Sequence, residues 1–269
     1  MNDTYAVMGN PIAHSKSPLI HARFARQTAQ QLQYNAIEVA KGSFAQAVDL
    51  FRTNGGRGLN ITVPFKEEAW RYVDRRSERA EIAGAVNTID FRGDGCYGDN
   101  TDGVGMVRDI IVNHGGTIAG KRVMLLGAGG AVRGVLGPLL AESPAQLLIV
   151  NRTVSKARAL AKHCCGPVEA CGYDALGNAA ADIVINGTAA SLGGNVPPLP
   201  DDVLAEGAWC YDMMYGNEPT AFVRWAQTHG AAKSLDGLGM LVEQAAESFY
   251  LWRGVRPETA PVMAMLRGL

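Results

Sequence analysis

The stretch Lys121-Arg-Val-Met-Leu-Leu126 runs straight into Gly127-Ala-Gly-Gly-Ala131, and Val132 to Ala141 follow. The first run is short, continuous and apolar, which suits a strand buried on both faces; the last has the length and composition of a helix. A glycine turn between such elements lets backbone amides close on a phosphate at the positive end of the helix. A lone Gly-x-Gly says little, but in this context Gly127, Ala128, Gly129, Gly130 and Ala131 predict a dinucleotide-binding loop. The third position of the fingerprint is Val132 where Gly or Ala is usual, which predicts looser helix–strand packing or a variant loop.

Working outward, Gln146 to Val150 is the next apolar run, and it ends in Asn151-Arg152-Thr153 with Lys156 soon after. A fold that binds NAD usually places a carboxylate there for the ribose hydroxyls. Two cations and polar donors suit a 2′-phosphate instead, so NADP is the expected cofactor. The competing reading is a solvated helix face carrying Arg152 and Lys156. An alanine-rich helix spans Lys156 to Lys162, and Asp182–Ile185 and Trp209–Asp212 are further strands. Strands of this kind alternating with helices predict a parallel sheet. Gly193 to Pro200 reads as a surface loop, and Gly239 to Trp252 as a helix burying Leu241, Val242, Ala245 and Phe249. Upstream, the pattern predicts a strand at Tyr5–Met8, then a loop, then a helix capped by Ser17 and running towards Leu32. Strands at Asn35–Val39 and Gly58–Val63 and a helix opening near Lys66 complete an α/β beginning.

The length of 269 residues suits two modest domains. The 25 basic and 26 acidic side chains lack the basic excess of a nucleic-acid binder. Five cysteines, an odd number without a Cys-x-x-Cys, argue against a disulfide framework and for free thiols. His163 beside Cys164 and Cys165 raises the thought of a metal, but no second matching pair exists, so no metal is expected. No secretory leader and no membrane span are recognisable, and the expected location is the cytoplasm.

Two charged residues stand out. Lys66 opens a predicted helix, where the helix dipole disfavours a cation. Asp102 lies in the turn-rich Gly98-Asp-Asn-Thr-Asp-Gly103, where a cap or Asx-turn would explain it. Spacing alone does not pair them with each other, or with Ser15 and Ser17.

Eight stretches in order carry a resemblance. They are Gly9–Pro18, Asn60–Lys66, Gly84–Thr88, Gly98–Gly103, Gly127–Ala131, Asn151–Thr153, Tyr211–Tyr215 and Asp236–Gln244. With them the chain resembles the shikimate dehydrogenase family over its whole length. The resemblance implies an α/β substrate domain, residues 1–103 plus 238–269 with the C-terminal helix. It also implies a Rossmann-like NADP domain, a doubly wound parallel sheet over 104–237, with the site in the cleft. The implied reaction is reversible reduction of 3-dehydroshikimate to shikimate by NADPH, in chorismate and aromatic amino-acid biosynthesis. By carry-over, Ser15, Ser17 and Tyr215 hold the substrate carboxylate; Thr62, Asn87, Asp102 and Gln244 hold the ring hydroxyls; Lys66 with Asp102 handles the proton. Met213 and Gly237 line the nicotinamide, Glu78 lies near the cofactor, and Lys156 stands where the family often has arginine. Charge is kept there, but bidentate geometry is lost. Neighbouring readings are a quinate/shikimate dehydrogenase of broader cofactor use and a non-catalytic NADP-binding regulator. The expected partner is a small-molecule substrate, not nucleic acid or membrane; a homodimer is compatible, with no interface legible.

Overall fold

A computed structural model describes residues 3–93, 95–162, 164, 166–177 and 179–268. The chain forms two units, one ending at Gly105 and resumed over Val242–Gly268, the other Met106–Leu241.

The first unit opens with β1 (Asp3–Gly9), α1 (Ser17–Gln27), β2 (Leu32–Glu38), α2 (Phe44–Thr53) and β3 (Gly56–Ile61). It continues with α3 (Lys66–Tyr72), β4 (Arg75–Arg76), α4 (Glu78–Ala83), β5 (Thr88–Arg92) and β6 (Gly95–Asp99). Its sheet has the order β2-β1-β3-β5-β6-β4. β1 pairs in parallel with β2 and β3, whereas β5 runs antiparallel to both β3 and β6. Met8, Leu59, Ile61 and Ile89 from the strands pack with Phe44, Val48 and Phe65 in one core.

Two expectations about α1 need correction. Lys16, not Ser17, occupies the cap position, and Ser17 is the first helical residue with Pro18 behind it. The helix also stops at Gln27. Leu32 fits a continuing apolar stripe, but it is the first residue of β2, opposite Asp3 of β1. Ala29 takes up the reversal at φ 52°.

The second unit follows α5 (Asp102–Arg108), which carries the chain across and passes into a π-helical turn at Asp109–Asn113. Then come β7 (Arg122–Leu126), α6 (Gly130–Ala141), β8 (Gln146–Val150), α7 (Val154–Ala161) and β9 (Val168–Cys171). β10 (Ala181–Asn186), β11 (Leu204–Asp212), α8 (Ala221–Thr228) and β12 (Lys233–Leu235) complete it. All pairs are parallel, in the order β12-β11-β10-β7-β8-β9, the doubly wound arrangement expected. The β7 run explains itself: Val123 and Leu125 enter one core, Met124 and Leu126 the other. A strand between two helical layers needs no polar face. α9 (Leu238–Arg253) then leads back to the first unit, and α10 (Ala260–Arg267) ends the chain.

His163 and Cys165 lie outside the described residues. Among those described, no His/Cys/Asp/Glu group could hold a metal, and no helix is long and apolar enough to cross a membrane. Cys96, Cys171 and Cys210 are free thiols, and Cys164 Sγ donates to the Leu160 carbonyl at 3.5 Å.

Candidate active site

In the first unit, polar side chains gather just after β3, just before β5 and in the turn after β6. Thr62 follows β3, and its N–H donates to the Met8 carbonyl at 3.0 Å. Its methyl lies so close to Gly9 that a Cβ there would stand 2.4 Å away, so this crossing of two loops requires glycine. Four residues on, Lys66 is the first residue of α3, as the sequence suggested. Its Nζ lies 2.6 Å from Asp102 Oδ2, and the pair's side chains are only 29% and 12% exposed. The carboxylate offsets the unfavourable helix end on which the ammonium sits.

Asp102 is not spent on its own turn. The Asx-type bond is made by Asn100, whose Oδ1 accepts from the Asp102 N–H at 3.2 Å. That leaves both Asp102 oxygens for side chains: Lys66 on Oδ2 and Asn87 Nδ2 on Oδ1 at 2.8 Å. Asn87 Nδ2 also reaches Gln244 Oε1 on α9 at 3.3 Å. The structure thus joins Lys66, Asp102, Asn87 and Gln244 in one cluster.

Ser15 and Ser17 flank Lys16 at the start of α1, and the Ser17 N–H donates to Ser15 Oγ at 3.3 Å. Glu78 is an exposed residue in the first turn of α4, within the unit that carries Lys66.

The glycine loop belongs to the second unit. Gly127 adopts φ 109°, a conformation that favours glycine, and its N–H donates to the Val150 carbonyl at 2.8 Å. α6 begins at Gly130, and a Cβ on Gly129 would meet no atom within 4 Å. Open space therefore lies over amides at the positive end of a helix, which is what a pyrophosphate requires. The looser packing expected from Val132 is not found. Val132 is fully buried, and its Cγ2 would lie 2.5 Å from a Cβ on Gly187. The glycine that permits close packing is supplied by the loop after β10.

After β8, Asn151 Nδ2 donates to the Thr153 carbonyl at 2.9 Å, while Arg152, Thr153 and Lys156 are exposed. Arg152 sits near Tyr173, whose phenol burial pushes up to about 12, with the guanidinium acting the other way. No carboxylate occupies Asn151–Thr153. Gly237 packs on Met213: its N–H donates to the Met214 carbonyl at 3.0 Å, and a Cβ on it would stand 2.3 Å from the Met213 carbonyl. Burial raises the Tyr215 phenol above its ordinary range.

Sequence reasoning missed the residues that hold these groups in place. Buried Asp212 accepts from Asn186 Nδ2 and the Met214 N–H at 3.1 Å each, Ser191 Oγ at 2.6 Å and Thr220 Oγ1 at 2.5 Å. It thereby fixes the loop bearing Met213 and Tyr215. Arg79 grips Asp99 through Nε at 2.7 Å and Nη2 at 2.6 Å, anchoring the turn that leads to Asp102. Asn60, Thr88 and Ser248 form a further buried network. Asp212, Asp99, Asn60 and Thr88 were legible only as members of longer motifs, and nothing local marks Ser248.

Comparison with known proteins bears on the same segments. Residues 7–89 match the model of the shikimate dehydrogenase substrate binding domain, 110–193 that of shikimate / quinate 5-dehydrogenase, and 237–267 the shikimate 5'-dehydrogenase C-terminal domain. A shikimate dehydrogenase (NADP(+)) of Cellvibrio japonicus is 63% identical over 270 residues, covering 99% of this chain and 98% of its own. Among solved structures, an Ael1 enzyme from Pseudomonas putida is similar at TM-score 0.96 and 49% identity, covering 98% of both chains. Shikimate 5-dehydrogenase from Thermus thermophilus, in complex with NADP(H) and shikimate, is similar at TM-score 0.88 and 30% identity, covering 99% of both. With such identity along nearly its full length, and with the lysine–aspartate cluster and the glycine loop in the matching segments, the chain belongs to the shikimate dehydrogenase family.

Proposed function

We propose that the protein is an NADP-dependent shikimate dehydrogenase, an oxidoreductase that interconverts 3-dehydroshikimate and shikimate in aromatic amino-acid biosynthesis. The observation that carries this reading is the Lys66–Asp102 pair at 2.6 Å, braced by Asn87.

The residues present suit the cofactor. The open α6 end receives the pyrophosphate on the amides of Gly127–Ala131. Asn151, Arg152, Thr153 and Lys156 hold the 2′-phosphate, in a position without a carboxylate to repel it. Met213 and Gly237 line the nicotinamide, and Glu78 contributes near the cofactor. When bound, NADPH supplies the hydride to the ketone carbon.

The chain's own groups manage the rest. Ser15, Ser17 and Tyr215 hold the substrate carboxylate by their hydroxyls. Thr62, Asn87, Asp102 and Gln244 orient the ring hydroxyls. The Lys66 ammonium stabilises negative charge growing on the carbonyl oxygen and then donates a proton to it. Asp102 keeps that ammonium aimed. In the oxidative direction neutral Lys66 takes the hydroxyl proton back. The free cysteines suit a reducing compartment, and we place the enzyme in the cytoplasm.

Replacing Lys66 by Met keeps the aliphatic stem and removes the charge. It should lower kcat by about 100-fold or more while changing the shikimate KM little. A variant altered only in KM would make Lys66 a binding residue and not the proton donor.

A further inference from the structure

We propose that Tyr34, Asn60 and Thr88 are positioning residues for this reaction, forming a one-directional hydrogen-bond chain that aims Asn87, and through it the Asp102 carboxylate, at Lys66. The inference rests on the roles given above to Lys66 and Asp102.

The chain can be followed atom by atom. Tyr34 Oη donates to Asn60 Oδ1 at 2.7 Å. Asn60 Nδ2 donates to Thr88 Oγ1 at 3.1 Å and to Ser248 Oγ at 3.0 Å. Thr88 Oγ1 donates to Asn87 Oδ1 at 2.9 Å. Asn87 Nδ2 donates to Asp102 Oδ1 at 2.8 Å, and Lys66 meets the other oxygen at 2.6 Å.

Its direction is fixed at two points by groups that have no choice. The Asn87 main-chain carbonyl can only accept, and it takes Asn60 Nδ2 at 3.3 Å. Asn60 therefore turns Oδ1 to Tyr34, whose phenol must donate. The Thr101 N–H can only donate, and it goes to Asn87 Oδ1 at 2.9 Å. Asn87 must then face Asp102 with its NH2 group. Thr88 lies between two fixed amides: with the Ser248 hydroxyl, 2.7 Å away, as donor of the bond they share, it receives the proton of one and gives its own to the other.

The links behind Asp102 lie out of water. Tyr34 is 9% exposed, Asn60 6%, Asn87 2%, and Thr88 and Ser248 0%. No solvent molecule can replace a lost partner cheaply, and linked bonds in such surroundings polarise one another. Each dipole in the series points its positive end towards the carboxylate. The His21 ring, stacked on Tyr34 at 4.1 Å and 5°, holds the first donor in place.

The test compares wild type, Thr88→Val, Thr88→Ser and Tyr34→Phe in NADP+ reduction by shikimate, with NADP+ binding stoichiometry measured on each preparation. Thr88→Val and Tyr34→Phe should bind NADP+ at full stoichiometry yet lose roughly tenfold in kcat, the scale of one buried hydrogen bond, with a raised shikimate KM. Thr88→Ser should restore both. Wild-type kcat and KM in Thr88→Val and Tyr34→Phe would overturn the proposal. So would a fall in kcat matched by an equal loss of NADP+-binding chains at unchanged KM, since that is a folding effect alone. If Thr88→Val does not fold, Tyr34→Phe, which keeps the ring in its stack, decides. A wild-type protein inactive on shikimate overturns the functional reading, and this inference with it, before any variant is made.

Discussion

His21 sets an acid limit on stability that can be worked out in advance. It lies on the buried face of α1, fully enclosed, stacked on Tyr34 and edge-on to Phe24 at 6.0 Å. Burial pushes its imidazole down to about 3, with the Asn60 side chain acting weakly the other way. An unfolded histidine titrates near 6.5. Below that pH the unfolded chain takes up a proton that the folded chain refuses, so stability falls as pH drops from about 6.5 towards 3 and is complete above that window. At 1.36 kcal/mol per pH unit, the loss at about pH 5 comes to roughly 2 kcal/mol relative to neutral pH. The assay is urea unfolding near pH 7.5 and near pH 5, on wild type and on His21→Phe, which keeps an aromatic ring in the stack. Carboxylates that titrate lower, such as Asp3 and Asp182, are common to both proteins and cancel. The variant should lose about 2 kcal/mol less than wild type between the two pH values. Parallel losses in the two proteins would refute the reasoning.

Two further outcomes follow from the nucleotide-binding unit. Arg152→Ala should weaken NADP+ by about tenfold or more, the scale of a charge-assisted hydrogen bond, and leave NAD+ almost unchanged in a fluorescence titration; equal weakening of both would remove Arg152 from the 2′-phosphate. Gly187→Ala puts a methyl 2.5 Å from Val132 Cγ2, so it should destabilise by about 1–3 kcal/mol in thermal unfolding and weaken NADP+ and NAD+ alike. Val132→Ala in the same chain should recover much of that loss, and strict additivity of the two changes would argue against the contact.

The parts legible in the sequence were those whose cause is local. The run from Lys121 to Leu126 needs apolar residues at every position because both of its faces are covered, and the glycines after it mark a turn that few other residues permit. Lys66 could be placed at a helix start because Pro64 interrupts the apolar run before it, although β3 itself closes earlier, at Ile61. The short elements were not legible. β4 has two residues and β12 three, too few for any periodicity to declare itself. Ser17 looks like a cap by type, yet the chain enters α1 one residue earlier, at Lys16. The close packing of Val132 was not legible because the glycine that accommodates it lies 55 positions away, at Gly187. The same holds for the network behind the candidate site: Asn60 meets Ser248 across 188 positions, and each is an ordinary residue in its own segment. Spacing did not pair Lys66 with Asp102 either; the family resemblance did, and the 2.6 Å contact supplies the physical reason.

The most direct measurement is the appearance of nicotinamide absorbance with purified protein, crossing NADP+ and NAD+ with shikimate and quinate. Turnover is expected with NADP+ and shikimate, and little in the other three combinations. Comparable turnover with NAD+ would contradict the 2′-phosphate role assigned to Asn151–Lys156, and comparable turnover with quinate would contradict the assignment to shikimate. No turnover in any combination, from a protein that still binds NADP+, would contradict the assignment of Lys66 and Asp102 as a working proton-transfer pair.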